Sequence, residues 1–133
     1  MSTKSVADEF FRRLDERNPQ KIADMFVEDD LHFFIPGPAI LPFNGARQTR
    51  ADVEQFYYAL WSNLVDSIVE TDEVIIQGAH MIAFGKFTHT AQPTGRRFSH
   101  EYALHIIVQG KQIKSLQVYD DTYAVAQAFA PAV

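Results

Sequence analysis

Near residue 65 the apolar residues of this chain change period, and no other feature of the sequence restricts its fold as much. Before that point they recur every three to four residues, as on one face of a helix. After it they alternate, as in a strand that shows its side chains to two faces. The alternating half is divided by Gly78, Pro93-Thr94-Gly95 and Gly110-Lys111 into four long segments, Ser67 to Gln77, Met81 to Gln92, Arg97 to Gln109 and Gln112 to Asp121. Connections this short make neighbouring strands turn back on one another and predict an antiparallel meander. The first half predicts helices from Ser5 to about Arg17 and from Pro19 to Glu28. A third, capped by Thr49, carries the stripe Val53, Phe56, Tyr57, Leu60, Trp61 and Leu64. Leu31 to Ile35 reads as a short strand stopped by Pro36-Gly37-Pro38, the stretch from there to about Arg47 has no period, and Thr122 to Ala130 reads as a short closing helix.

Helices first and strands afterwards make an α+β pattern. The expected fold is one domain over residues 1–133, a curved antiparallel sheet packed on the three helices of the N-terminal half. Three helices cannot cover four long strands completely, so a cavity is expected between the layers. With 133 residues, 47% of them hydrophobic, the chain has enough apolar surface for a real core. It has no cysteine, which excludes disulfides, thiolate nucleophiles and cysteine-ligated zinc. A net charge of -5, with no basic cluster larger than a pair such as Arg96-Arg97, argues against nucleic acid as a partner. No signal-peptide core and no membrane-spanning run is visible, so a soluble cytoplasmic protein is expected.

The last alternating segment ends in two adjacent carboxylates. Leu116, Val118 and Asp120 fall on one face and Gln117, Tyr119 and Asp121 on the other. Asp120 therefore extends an apolar face, where a pocket is able to hold a general base. The alternative role for it is to cap the closing helix, which Asp121 or Thr122 would do equally well. The neighbours of Asp120 depend on the hairpin register. A three-residue loop after Gln109 sets Ile106, Leu104, Tyr102 and His100 beside Leu116, Val118, Asp120 and Thr122, and gives a self-consistent apolar face. A two-residue loop would bring His105, Ala103 and Glu101 there instead. His100 and Tyr102 are candidates to relay a proton or hold a carbonyl oxygen. Trp61 and Tyr57 have polar tips that want partners, which a cavity wall supplies. His32, His89 and His105 are scattered without metal-ligand spacing, so no metal site is expected.

The element order, with Ile22-Ala-Asp-Met-Phe-Val-Glu-Asp-Asp30, Phe56-Tyr57, Pro93-Thr-Gly95 and Gly110-Lys-Gln-Ile-Lys-Ser-Leu-Gln-Val-Tyr-Asp120, resembles the nuclear transport factor 2-like superfamily, which includes ketosteroid isomerases and SnoaL-like polyketide cyclases. The isomerase pattern fails residue by residue. Ile35 precedes Pro36 where the aspartate base should stand, Phe10 takes the place of the donor tyrosine, and Leu104 that of the donor aspartic acid. Steroid isomerase chemistry is thereby disfavoured. In the SnoaL-like cyclases an aspartate closing the last strand acts as general acid or base, and Asp120 matches that position. The resemblance implies a small cofactor-free enzyme that isomerises, cyclises or hydrates an apolar carbonyl-bearing molecule, with Asp120, Tyr102 and His100 as its catalytic residues. Trp61, Tyr57, Phe33, Ile35, Leu104, Ile106, Leu116 and Val118 would line the ligand site. It also implies a homodimer, formed over a second sheet face that carries Tyr119, Gln117 and Ile113. A pocket protein without catalysis and a purely structural dimer are the alternatives.

Overall fold

The computed structural model describes residues 2–38 and 40–131; Ala39, inside the loop left without a period, is outside them. The elements follow in the order α1 (Thr3–Glu16), α2 (Pro19–Ala23), β1 (His32–Ile35), β2 (Gly45–Arg47), α3 (Arg50–Asn63), β3 (Leu64–Gln77), β4 (His80–Ala91), β5 (Arg97–Gln109), β6 (Gln112–Asp120) and α4 (Thr122–Phe129). The strands form one sheet in the order β2-β1-β6-β5-β4-β3. It is curled and unclosed, and antiparallel throughout except where β1 pairs in parallel with β6.

The meander β3 to β6 is the predicted one. Its last hairpin has the expected register, Tyr102 opposite Asp120, Leu104 opposite Val118 and Ile106 opposite Leu116, but reaches it by another route. The loop is the two-residue Gly110-Lys111, with Gly110 at φ 64, and Gln109 pairs Gln112. A bulge then slips the ladder by one residue, between Val108 opposite Ile113 and Ile107 opposite Ser115. The slip turns Ile113 inward, so this residue is fully buried rather than on the second face.

Two predicted boundaries move because strand pairing outcompetes local propensity. The second helix stops at Ala23 instead of Glu28, since the chain leaves it to form a parallel bridge from Phe26 to Ile113. Ile113 N–H donates to Met25 O at 2.8 Å, and Val27 N–H donates to Ile113 O at 3.1 Å. The stretch before Arg47 contains β2, whose residues Gly45 to Arg47 pair with Ile35 to Phe33. Three residues are too few to show a period.

The helices α1, α2 and α3 pack on the inner face of the sheet through aromatic side chains. Phe26 lies 6.2 Å from Phe10 and 5.7 Å from Phe33, and Phe33 lies 4.8 Å from Phe56, ring centre to ring centre. Burying each such ring contributes about 1.5–3 kcal/mol. Helix α4 closes the end of the sheet at which β6 stops. It is tied to the turn between β4 and β5, where the Thr94 hydroxyl donates to Ala128 O at 2.5 Å and Arg96 Nη1 to Gln127 O at 2.6 Å. No helix among the described residues is long and apolar enough to cross a membrane.

Candidate active site

Between the helices and the sheet lies a cavity of about 370 Å³. The inner faces of β3 to β6 form its floor and α1 and α3 its roof, with Ile35, Pro36, Leu41 and Phe43 along one side. Its wall is mainly hydrocarbon. Phe10, Ile35 and Leu104, the three positions at which the isomerase residues are replaced, all line it. So do Trp61, Tyr57, Leu116, Val118, His100 and Asp120.

Three of the expected site residues are not on the wall. Phe33 is fully buried, with Phe56 and Tyr57 packed on it, and Ile106 is fully buried further along β5. Tyr102 is screened by the Phe87 ring stacked 4.0 Å from its own, and its hydroxyl shares a 3.1 Å hydrogen bond with Thr71 Oγ1. Sharing an inward strand face does not put a side chain on the cavity, because the sheet extends beyond it and aromatic rings cover one another.

The adjacent carboxylates divide two tasks. Asp121 caps α4, its Oδ1 accepting from Ala124 N–H at 3.0 Å, which releases Asp120 from that role. The Asp120 side chain is 11% exposed and lies beside a His100 side chain that is 3% exposed. His100 Nδ1 is 3.7 Å from Asp120 Oδ2, too far for a hydrogen bond but close enough for strong electrostatic coupling. It is also 3.3 Å from Glu101 O, and since a carbonyl only accepts, Nδ1 carries the hydrogen. The other oxygen, Asp120 Oδ1, is buried and has no hydrogen-bond partner among the described residues. Leaving a buried polar atom unpaired costs about 1–3 kcal/mol, so folding alone does not account for it. Burial raises the Asp120 pKa, opposed by His100 and reinforced by Asp121.

A second polar pair faces the cavity from β3 and β4, and the sequence reading missed it. His89 Nδ1 and Ser67 Oγ share a 2.7 Å hydrogen bond. The bulge that sets Asp66 and Ser67 together opposite His89, between the pairs Val65 with Thr90 and Ile68 with Thr88, aims Ser67 there. The one signal available was phase, since His89 alternates with Phe87 and Ala91 on the inward face of β4. Burial lowers the His89 pKa from 6.5 to about 4, helped by the positive charge of His100, Arg17 and Arg97. The unfolded chain therefore binds the extra proton between these two values, and stability falls as pH drops from about 6.5 to about 4. The full displacement is worth about 3 kcal/mol. In urea unfolding across that range, His89→Gln should flatten this part of the pH dependence.

The sequence profile of the SnoaL-like domain matches residues 7–116. The chain belongs to the SnoaL-like domain family. Among solved structures this SnoaL-like protein is similar to a nuclear transport factor 2-like protein from Burkholderia thailandensis, with 18% identity, a TM-score of 0.86 and coverage of 98% of this chain and 99% of the other. One from Burkholderia xenovorans gives 22%, 0.85, 98% and 98% in the same order. TerC, co-crystallised with polyporic acid, gives 15%, 0.82, 96% and 97%. At these identities the likeness establishes the nuclear transport factor 2-like fold. A search of curated proteins found no match. Asp120 lies just past the matched span, so its assignment rests on the geometry above.

Proposed function

We propose that this SnoaL-like protein is an acid-base enzyme that needs no cofactor and acts on an apolar, carbonyl-bearing small molecule, isomerising, cyclising or hydrating it. The observation that carries the reading is the Asp120 carboxyl, set at the end of an apolar cavity with one oxygen free of protein partners. In the reaction Asp120 takes a proton from the carbon next to the carbonyl through Oδ2, the oxygen that its burial leaves accessible, the C–H electron pair moves into an enolate, and the same carboxyl returns the proton at another position. A base raised by burial toward neutral pH is suited to such an exchange. His100 adjoins Asp120 and counters its charge, while Tyr102, held by Thr71, positions the floor behind Phe87. The volume falls within the range of small-molecule pockets, about 300–1,000 Å³.

The test needs no knowledge of the natural substrate. 2-Tetralone, a bicyclic ketone with acidic hydrogens beside its carbonyl, is incubated with the protein in D2O and its hydrogen exchange followed by NMR. Exchange above the buffer rate, abolished in Asp120→Asn, is the expected result. Exchange equal in the two proteins would refute the reading. A second reading, a pocket that binds an apolar ligand without reaction, is favoured by the hydrocarbon side chains of Phe10, Ile35 and Leu104 on the wall, and it predicts binding of the ketone with no exchange. In either case the protein is read as cytoplasmic, and also as pairing with a second copy of itself, the pairing alone being supported by the exposed Ile75, Phe84 and Tyr119 on the outer sheet face.

A further inference from the structure

The floor of the cavity has two polar ends. Asp120 is on β6 and the Ser67–His89 pair on β3 and β4, with β5 between them. Three features give the second end the chemistry of an anion site.

The first is a hydrogen count. Ser67 has one O–H and neutral His89 one N–H, and the bond between them consumes one of the two. If the serine donates, the imidazole keeps a hydrogen on Nε2; if the imidazole donates from Nδ1, the serine hydroxyl is free. Both residues line the cavity, and in either tautomer the pair retains one donor that its own hydrogen bond does not use.

The second is the placement of two guanidinium groups on the bulge that carries Ser67. Arg17 ends α1 in a left-handed conformation, φ 55, and its Nη2 donates to Ser67 O at 3.3 Å. Arg97 Nη1 donates to Asp66 O at 3.0 Å and to Thr90 Oγ1 at 2.9 Å. Arg17 also lines the cavity. Among the described residues it spends one of its five N–H groups, and the remaining four suit a forked contact with an oxyanion.

The third is the sign of the local potential. Burial first, and then the neighbouring His100, Arg17 and Arg97, push the His89 pKa down, and no carboxylate is among the groups that act on it. Asp15 and Arg17 are both exposed on the lining at the end of α1, and of the two only the arginine is among the groups that act on His89. In a chain with a net charge of -5, two guanidinium groups meet on one bulge, Arg17 on the cavity lining and Arg97 outside it, with the Asp66 side chain exposed to solvent on the same bulge.

We propose that Arg17, Ser67 and His89 form an anion-binding post that holds an ionised oxygen, a carboxylate or phenolate, of the apolar molecule whose reacting carbon faces Asp120. The inference rests on reading the cavity as the ligand site and narrows its ligands to apolar acids with the ionised group set apart from the reacting carbon.

Two fluorescent probes with one frame test it: 1-anilinonaphthalene-8-sulfonate, an anion, and N-phenyl-1-naphthylamine, which lacks the sulfonate. The anion should bind more tightly, lose affinity as salt is raised, and displace the amine from the same site. Arg17→Asn retains a residue suited to a left-handed cap, so it should fold; it should weaken the anion by about tenfold and change the amine by less than about twofold. Ser67→Ala should weaken the anion by about threefold or more, with the amine again unaffected. Equal effects on both probes, no effect on either, or anion binding that fails to displace the amine would overturn the post. The outcome is separable from that of the acid-base reading. A wild-type protein that shows no preference for the anion while tetralone exchange persists removes the post alone, whereas exchange that survives Asp120→Asn removes the chemistry and leaves the post standing.

Discussion

Asp120→Asn is expected to lower turnover by about 10²- to 10⁴-fold and to make the protein more stable at pH 8. The first figure is the usual contribution of a positioned general base, lost when an amide that cannot accept the proton takes its place. The second follows from the sign of the pKa shift. Burial raises the carboxyl in the folded state, so between the unfolded and folded values the native protein binds more protons. Stability then falls as pH rises through that window, and above it the wild-type protein carries a charge that its surroundings disfavour. The amide removes this cost without changing the shape of the side chain. A gain of about 0.5–2 kcal/mol at pH 8 is expected, shrinking as the pH is brought down toward the ordinary carboxylate range. Paired chemical melts at pH 8 and pH 4 would measure it, and wild-type exchange of 2-tetralone should rise with pH as Asp120 ionises. An amide variant less stable than wild type at pH 8 would contradict the account of this side chain.

The second large effect concerns the floor under Tyr102. A methyl group added at Gly85 would stand 1.9 Å from Glu70 O and 2.8 Å from Tyr102 Cε1 and Oη. The irregular pairing of β3 and β4 between Thr71 and Glu73 draws the Glu70 carbonyl over this glycine, and the Tyr102 ring covers the remaining space. Gly85→Ala should cost about 3 kcal/mol or more, a fall of roughly 10 °C in melting temperature. Removing the ring as well, in Gly85→Ala with Tyr102→Ala, should restore nothing, because the closest obstacle is main chain. Rescue by the second substitution would show that the ring was the obstruction.

The parts legible in the sequence were those with a long repeat. Strands of nine to fourteen residues show their alternation, and the demand for one apolar face selected the register of the last hairpin even though its loop was read wrongly. A bulge is invisible to such reasoning, since it consists of one residue out of step, and here bulges decide three matters. One buries Ile113, one turns Ser67 toward His89, and one brings the Glu70 carbonyl over Gly85. Short pairings were lost for a related reason: Phe26 with Ile113 and the three residues of β2 are made by partners distant in sequence. At the site, Asp120 was found because it stands at the end of an apolar face, and its release from helix capping turned on which of two neighbours took that job. His89 and Ser67 lie on different strands, and only the bulge brings their side chains together.

Helix α3 ends at Asn63 and β3 begins at Leu64, with no residue between them. Tyr57, Leu60 and Trp61 overhead and Leu64, Ser67, Val69 and Thr71 below are therefore successive parts of a single uninterrupted backbone segment. A cover so joined has no hinge on that side, and lifting it would tear the β3 edge from β4. The exposed part of the lining is instead at the end of α1, where Asp15 and Arg17 stand at the rim, while Leu41 and Phe43 on the other side are buried.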